Sequence, residues 1–209
     1  DLAHQMEVFI DRSMPAPGRY GDDDSQRQYE NALVSRVLEH VSETDGGAFV
    51  LFTSYAVLYR TADLLEAPLA SLGMPMLVQG RKVPRGELLD RFREDPRSVL
   101  LGAASFWQGV DVQGQGLRNV IITRLPFEPP GRPLTEARLE RIRDRGGDPF
   151  REDSLPRAVI RFKQGIGRLI RSADDRGRVV VLDPRVLTAG YGRAFLAAFP
   201  PELEPTVID

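Results

Sequence analysis

The chain has 209 residues, 42% of them hydrophobic, a formal net charge of −2 and no cysteine. That length and apolar content suit one large domain or two small ones with a real core. The composition excludes disulfides and thiolate metal sites, and no apolar run approaches the ~20 residues that span a bilayer.

The start, DLAHQMEVFI, has neither the basic region nor the apolar run of a signal peptide, so a cytoplasmic protein is expected. MEVFI (6–10) predicts an edge strand, and PAPGRYGDDDS (15–25) reads as a loop. Ser25 to Val41 has helical spacing and leads to AFVLF (48–52), a buried strand. Leucines and alanines from Ser54 to Glu66 predict a helix. MLVQ (76–79), SVLLG (98–102), NVIIT (119–123) and VVVL (179–182) are four more strands, with a short helix at RGELLDRF (85–92). Alternating strands and helices predict an α/β fold with a mostly parallel central sheet and helices on both faces.

Two stretches interrupt this rhythm. LPFEPPGRP (125–133) has four prolines and must leave the sheet in extended form. A charged helix near 134–145 and a loop, RGGDPFREDS, follow. No linker divides the chain, so residues 1–209 are read as one domain with an irregular excursion at about 125–155. A last helical pattern runs from Val186 to Phe199.

Charge is unevenly spread. Residues 118–193 hold 17 Lys and Arg against 10 Asp and Glu, which suits a polyanionic partner; the alternative is solvated surface charge. The pattern from 157 to 171 predicts one helix. Arg157, Arg161, Gln164, Arg168 and Arg171 form one stripe, opposite an apolar stripe of Val159, Phe162, Ile166 and Leu169. Gly165 and Gly167 each cost about 1 kcal/mol in a helix interior, and a plain surface helix does not explain them. They would permit close approach by another backbone or a ligand, while the arginines match phosphate oxygens.

In a parallel sheet, ligands bind beyond the C-terminal ends of strands. FTSY (52–55) lies at one such end and ASFWQGVDVQGQG (104–116) at another. The second stretch has Gly109 and Gly114, which allow tight turns, and Asp111, which can accept from a ribose or an arginine. The alternative is a glycine-rich turn beside a core tryptophan.

Taken together, FTSY, SFWQGVDVQG, LPFEPPGRP, QGIGRLIRS (164–172) and VVVLDPR, in that order over about 50–185, resemble the second RecA-like motor domain of DinG/XPD-type superfamily 2 helicases, and bacterial DinG-like proteins most closely. FTSY fits motif IV, SFWQGVDVQG motif V and QGIGRLIRS the QxxGRxxR motif VI. Gln108 departs from the usual Glu. The resemblance implies a RecA-like three-layer fold and an ATP-dependent motor that moves 5′→3′ on single-stranded DNA. It implies that Arg168 and Arg171 act as arginine fingers and that Gln164 helps read the γ-phosphate or attacking water. Gly109 and Asp111 would line the nucleotide side, with Gly165 and Gly167 giving clearance to the facing domain and nucleotide. Ser54 and Ser105 would meet nucleic-acid backbone, and Phe106 and Trp107 would stack on bases, a core role for Trp107 being the alternative. Asp183 and Arg185 are read as structural ion pairing.

No GxxxxGK[ST] and no DEAH-like run occurs in the chain. ATP and Mg²⁺ are therefore expected to sit mainly on a first RecA-like domain of a longer protein, with no metal site and no iron–sulfur ligand here. The rivals are a non-catalytic nucleic-acid-binding module of helicase fold, and part of a DinG-like nuclease or RNA helicase. A Rossmann enzyme is disfavoured, because no GxGxxG opens a helix after the first strand.

Overall fold

The computed structural model describes residues 5–16, 22–81, 83–107, 116–129, 131–169 and 175–209. The chain opens with strand β1 (Met6–Asp11) and helix α1 (Asp23–Glu43). Asp22 caps α1 by accepting from the Ser25 N–H at 3.1 Å, and Asp23 and Asp24 place negative charge where the helix dipole favours it. Next come β2 (Ala48–Phe52), α2 (Tyr55–Ser71), β3 (Met76–Val78), α3 (Arg85–Glu94) and β4 (Val99–Ala103). The second half has β5 (Asn119–Ile122), α4 (Pro133–Asp144), α5 (Leu155–Ile166), β6 (Gly177–Val181), α6 (Arg185–Thr188), α7 (Gly192–Leu196) and β7 (Thr206–Ile208).

The strands form one sheet in the order β3-β4-β2-β5-β6-β1-β7, and every pairing is parallel. Alternate residues of each strand serve opposite faces, as the period of two requires. Phe49, Leu51, Val120, Ile122, Val179 and Val181 pack with Leu88, Phe92, Phe162, Ile166 and Phe195 on the α3–α5–α7 side. Ala48, Val50, Phe52, Ile121 and Val180 pack with Leu33, Val37, Leu58 and Leu65 on the α1–α2 side. Burial on both faces explains why these strands are almost wholly apolar in sequence. The result is the three-layer RecA-like α/β fold.

Several expectations are corrected. β1 is not an edge strand; Thr206–Ile208 pairs along its outer side, a strand of only three residues that gives little sequence signal. The predicted loop at 145–154 is largely helical. Phe150–Ser154 forms a π-helical turn running directly into α5. Asp148 nucleates it by accepting from the N–H groups of Phe150 and Arg151 at 2.9 and 3.2 Å. Pro156 has no N–H to give to the preceding turn, and widening to π geometry accommodates it. The helix expected over 157–171 ends at Ile166, with Gly167 as its C-cap. The pattern from 186 to 199 is two short helices, not one.

Candidate functional site

The C-terminal ends of β2, β4, β5 and β6 bring together the described parts of the motif stretches. Beyond β2, Thr53 and Ser54 are half-buried, and Ser54 is the N-cap of α2. Beyond β4 the chain makes a 3₁₀ turn, Ala104–Trp107, which contains Ser105. Phe106 and Trp107 are 0% and 2% exposed. This corrects the expectation that they stack on bases: both side chains are buried in the packing of the domain. Phe106 packs edge-on to Phe49 with centroids 5.8 Å apart. Trp107 donates its indole N–H to the Phe52 carbonyl at 2.7 Å, tying the end of β4 to the end of β2. The apolar ring is thereby spent on packing and its polar handle on a strand end.

Trp107 also explains one of the two glycines. Gly165 is buried, and a Cβ there would stand 3.1 Å from the Trp107 ring and 3.2 Å from Leu51. The clearance at Gly165 is filled from within the domain, which corrects the expectation that it serves the facing domain and nucleotide. Gly167 is exposed at the C-cap. Its N–H bonds the Lys163 carbonyl at 2.9 Å, and a Cβ would meet that same carbonyl at 3.1 Å.

The arginine stripe divides in two. Arg157 pairs with Asp153 at 2.7 Å, and Arg161 pairs with Glu128. Glu128 also accepts from Thr135 at 2.8 Å and Arg138 at 3.1 Å, so the proline-rich segment is bound to α4 and α5 through one carboxylate. Burial would raise the Glu128 carboxyl, but hydrogen bonds from Thr135 and Arg161, with the charges of Arg161 and Arg138, outweigh it and hold the carboxyl below its ordinary value.

Arg168 lies past the end of α5 and off the exposed stripe. It is 5% exposed, with its guanidinium 5.9 Å from the centre of the Phe49 ring. Burial, and secondarily the nearby Arg85 charge, push its pKa down to about 10, so it stays protonated at neutral pH in a setting that disfavours its charge. Gln164 is exposed on the last turn of α5. Gln108, Gly109, Asp111, Gly114 and Arg171 lie outside the described residues.

Past β5 the chain is anchored by Asp183, at the end of β6. Its carboxylate accepts from the Leu125 N–H at 2.8 Å and binds the Arg185 guanidinium through both oxygens, at 2.9 and 2.6 Å. The Asp183–Arg185 pairing is the structural one expected. Arg185 in turn lies 6.0 Å from the Phe127 ring centre, and Phe127 meets Phe150, Tyr191 and Phe195.

Two clefts open at this edge. One, of about 210 Å³, is lined by Thr53, Trp107, Pro126, Phe127, Pro129, Arg132 and Arg161. The other, narrower, includes Thr53, Ser54, Thr123 and Arg124. Its floor is set by Tyr29, whose hydroxyl donates to the Thr123 carbonyl at 3.1 Å and whose pKa is pushed up to about 12 by burial. A cavity of about 830 Å³ is at the opposite edge of the sheet, beside Arg118 and Arg178, and holds no motif residue. Arg124 directly precedes LPFEPPGRP and Arg132 lies inside it, but the sequence pattern gives neither a role. Among the described residues, no group of His, Asp and Glu side chains could hold a metal ion, and no helix is long and apolar enough to cross a membrane.

Comparison with known proteins places this geometry. The helicase C-terminal domain family matches residues 37–202. The chain is 42% identical to the ATP-dependent DNA helicase YoaA of Escherichia coli strain K12, over 96% of this chain and 30% of that protein. It is 39% identical to the 3′-5′ exonuclease DinG of Bacillus subtilis strain 168, over 94% of this chain and 21% of that protein. The chain thus spans less than a third of these relatives. Among solved structures, S. tokodaii Xpd4 superposes with a TM-score of 0.67 at 18% identity, covering 98% of this chain and 39% of that one. The C-terminal domain of the DEAD-box protein Dbp5 superposes with a TM-score of 0.55 at 16% identity, covering 100% and 92%.

Proposed function

Because the chain belongs to the helicase C-terminal domain family, in the DinG/XPD-type branch of superfamily 2, we propose that it is the second motor domain of an ATP-dependent DNA helicase. In this reading the ATP triphosphate and Mg²⁺ are held mainly by a first RecA-like domain of the same protein. This domain supplies Arg168 and Arg171 to the charge that develops on the transferred phosphoryl group, with Gln164 beside them. Ser54 and Ser105 contact the backbone of single-stranded DNA, and the full-length protein moves 5′→3′. Gly109 and Asp111 line the nucleotide side.

One observation carries this reading: Trp107 joins the ends of motifs IV and VI. Its N–H holds the Phe52 carbonyl, and its ring rests against Gly165. A shift of α5 on nucleotide binding would press on the same ring that fixes the strand-binding end of β2. The environment of Arg168 fits a phosphate ligand. Burial and the Arg85 charge disfavour its cation, and an approaching polyphosphate favours it, so anion binding and charge on Arg168 support each other. The chemistry of phosphoryl transfer asks little else of such a domain than positioned positive charge.

The test is ATP turnover by the full-length protein, with single-stranded DNA and single-stranded RNA compared. Strong stimulation by DNA supports the helicase reading; no ATP turnover with either polymer contradicts it. A second reading is favoured by the exonuclease name of the B. subtilis relative: the same fold serving a nuclease protein in which ATP-driven unwinding is absent. Strand cleavage without unwinding in the same assay would support that reading over the first.

A further inference from the structure

We propose that Arg124 and Arg132 are phosphate contacts that carry a single strand of nucleic acid across Thr53 at the C-terminal edge of the sheet. The inference rests on the strand-binding part of the reading above and names the residues that would do the work.

Thr53 lines both clefts at this edge, so the two are neighbouring sections of one surface. Arg124 is exposed in one section and Arg132 in the other. Neither guanidinium makes a hydrogen bond or an ion pair among the described residues, whereas Arg157 and Arg161 nearby are already committed to Asp153 and Glu128. The first part of the segment after Arg124 is anchored. Asp183 holds the Leu125 N–H, Phe127 is packed among aromatic rings, and Glu128 is tied to α4 and α5. Leu125, Phe127 and Glu128, which lie between them, are therefore held by the fold.

The wall chemistry selects the ligand. Single-strand sites combine guanidinium or ammonium groups along the backbone with flat apolar faces for bases. The larger cleft has Pro126, Phe127 and Pro129 on its walls, and Thr53 lines both this cleft and the section that holds Arg124. Two adjoining clefts that share Thr53, each with an exposed arginine in its lining, suit a repeating phosphate polymer.

The experiment measures binding of the full-length protein to labelled single-stranded DNA, one homopolymer and one mixed sequence, across a salt series. Arg124→Ala and Arg132→Ala should each lower the slope of log affinity against log salt by about 0.7, the share of one phosphate contact on a single strand. Both sequences should weaken alike, because phosphate contacts read no base. Arg124→Lys and Arg132→Lys should restore the slope. Arg193→Ala removes an exposed arginine on α7 that lines neither cleft, and should leave the slope unchanged. Wild-type slopes in the two alanine variants, or an equal fall in Arg193→Ala, overturn the proposal while leaving the strand-binding reading intact. Absence of salt-dependent binding by the wild-type protein overturns both.

Discussion

The Trp107 ring lies against Gly165 so closely that a single added methyl there would stand 3.1 Å from it. This contact spans two stretches 58 residues apart and joins the turn after β4 to the last turn of α5.

Gly165→Ala should therefore destabilise the domain despite alanine's better helix propensity. The propensity gain is about 1 kcal/mol. Overpacking against Trp107 and Leu51 costs about 1–3 kcal/mol. Gly86→Ala is the control, because a Cβ there meets nothing within 4 Å and α3 gains up to about 1 kcal/mol. Urea unfolding of both variants should move the midpoint in opposite directions; equal shifts would remove the packing explanation.

Asp183→Ala should release the segment after β5. The carboxylate is buried and holds both the Leu125 N–H and Arg185. Breaking a buried pair costs about 3–5 kcal/mol, and the partial exposure of Arg185 places this one at the lower end. Hydrogen exchange should show lost protection at Leu125 first; unchanged exchange there would contradict the anchoring role.

Glu128 predicts an acid-side dependence. Its folded carboxyl lies below the ordinary 4.5, so the stability it contributes is complete above that value and is lost as pH falls through the lower folded value. Glu128→Gln should flatten the decline in melting temperature below about pH 4.5. An unchanged acid limb in the variant would show that other carboxylates set it.

Arg168 separates stability from activity. Lysine at this position keeps the buried positive charge but lacks the fixed fork that matches phosphate oxygens. Arg168→Lys should leave the melting temperature of this domain within about 2–4 °C of wild type, the shift produced by roughly 1 kcal/mol. In the full-length protein it should lower ATP turnover by about 10³-fold, as loss of an arginine finger does. Full turnover with a collapsed melting temperature would assign Arg168 to the core alone.

The sheet was legible because each central strand is buried on both faces, which writes a continuous apolar run such as AFVLF. β7 was not, since three residues at the rim carry no such run. The π-turn at Phe150–Ser154 was hidden behind Gly146, Gly147 and Pro149, which read as a loop until the Asp148 cap is seen. Motif positions could be read from the order of short stretches, but not the direction of each side chain. FW looks like a stacking pair in sequence, yet Trp107 is buried and donates its indole N–H to a carbonyl 55 residues away. Arg124 and Arg132 received no role from the sequence, although Arg132 lies inside LPFEPPGRP, because isolated arginines beside prolines have no periodicity; the clefts bring them to notice.

The most direct measurement is DNA-stimulated ATP turnover by the full-length protein carrying Arg171→Ala, beside wild type and the isolated 209-residue domain. Wild type should hydrolyse ATP with strong stimulation by single-stranded DNA, Arg171→Ala should fall by about 10³-fold while folding normally, and the isolated domain should hydrolyse negligibly. Normal turnover in Arg171→Ala would contradict the assignment of this domain as the supplier of the arginine finger.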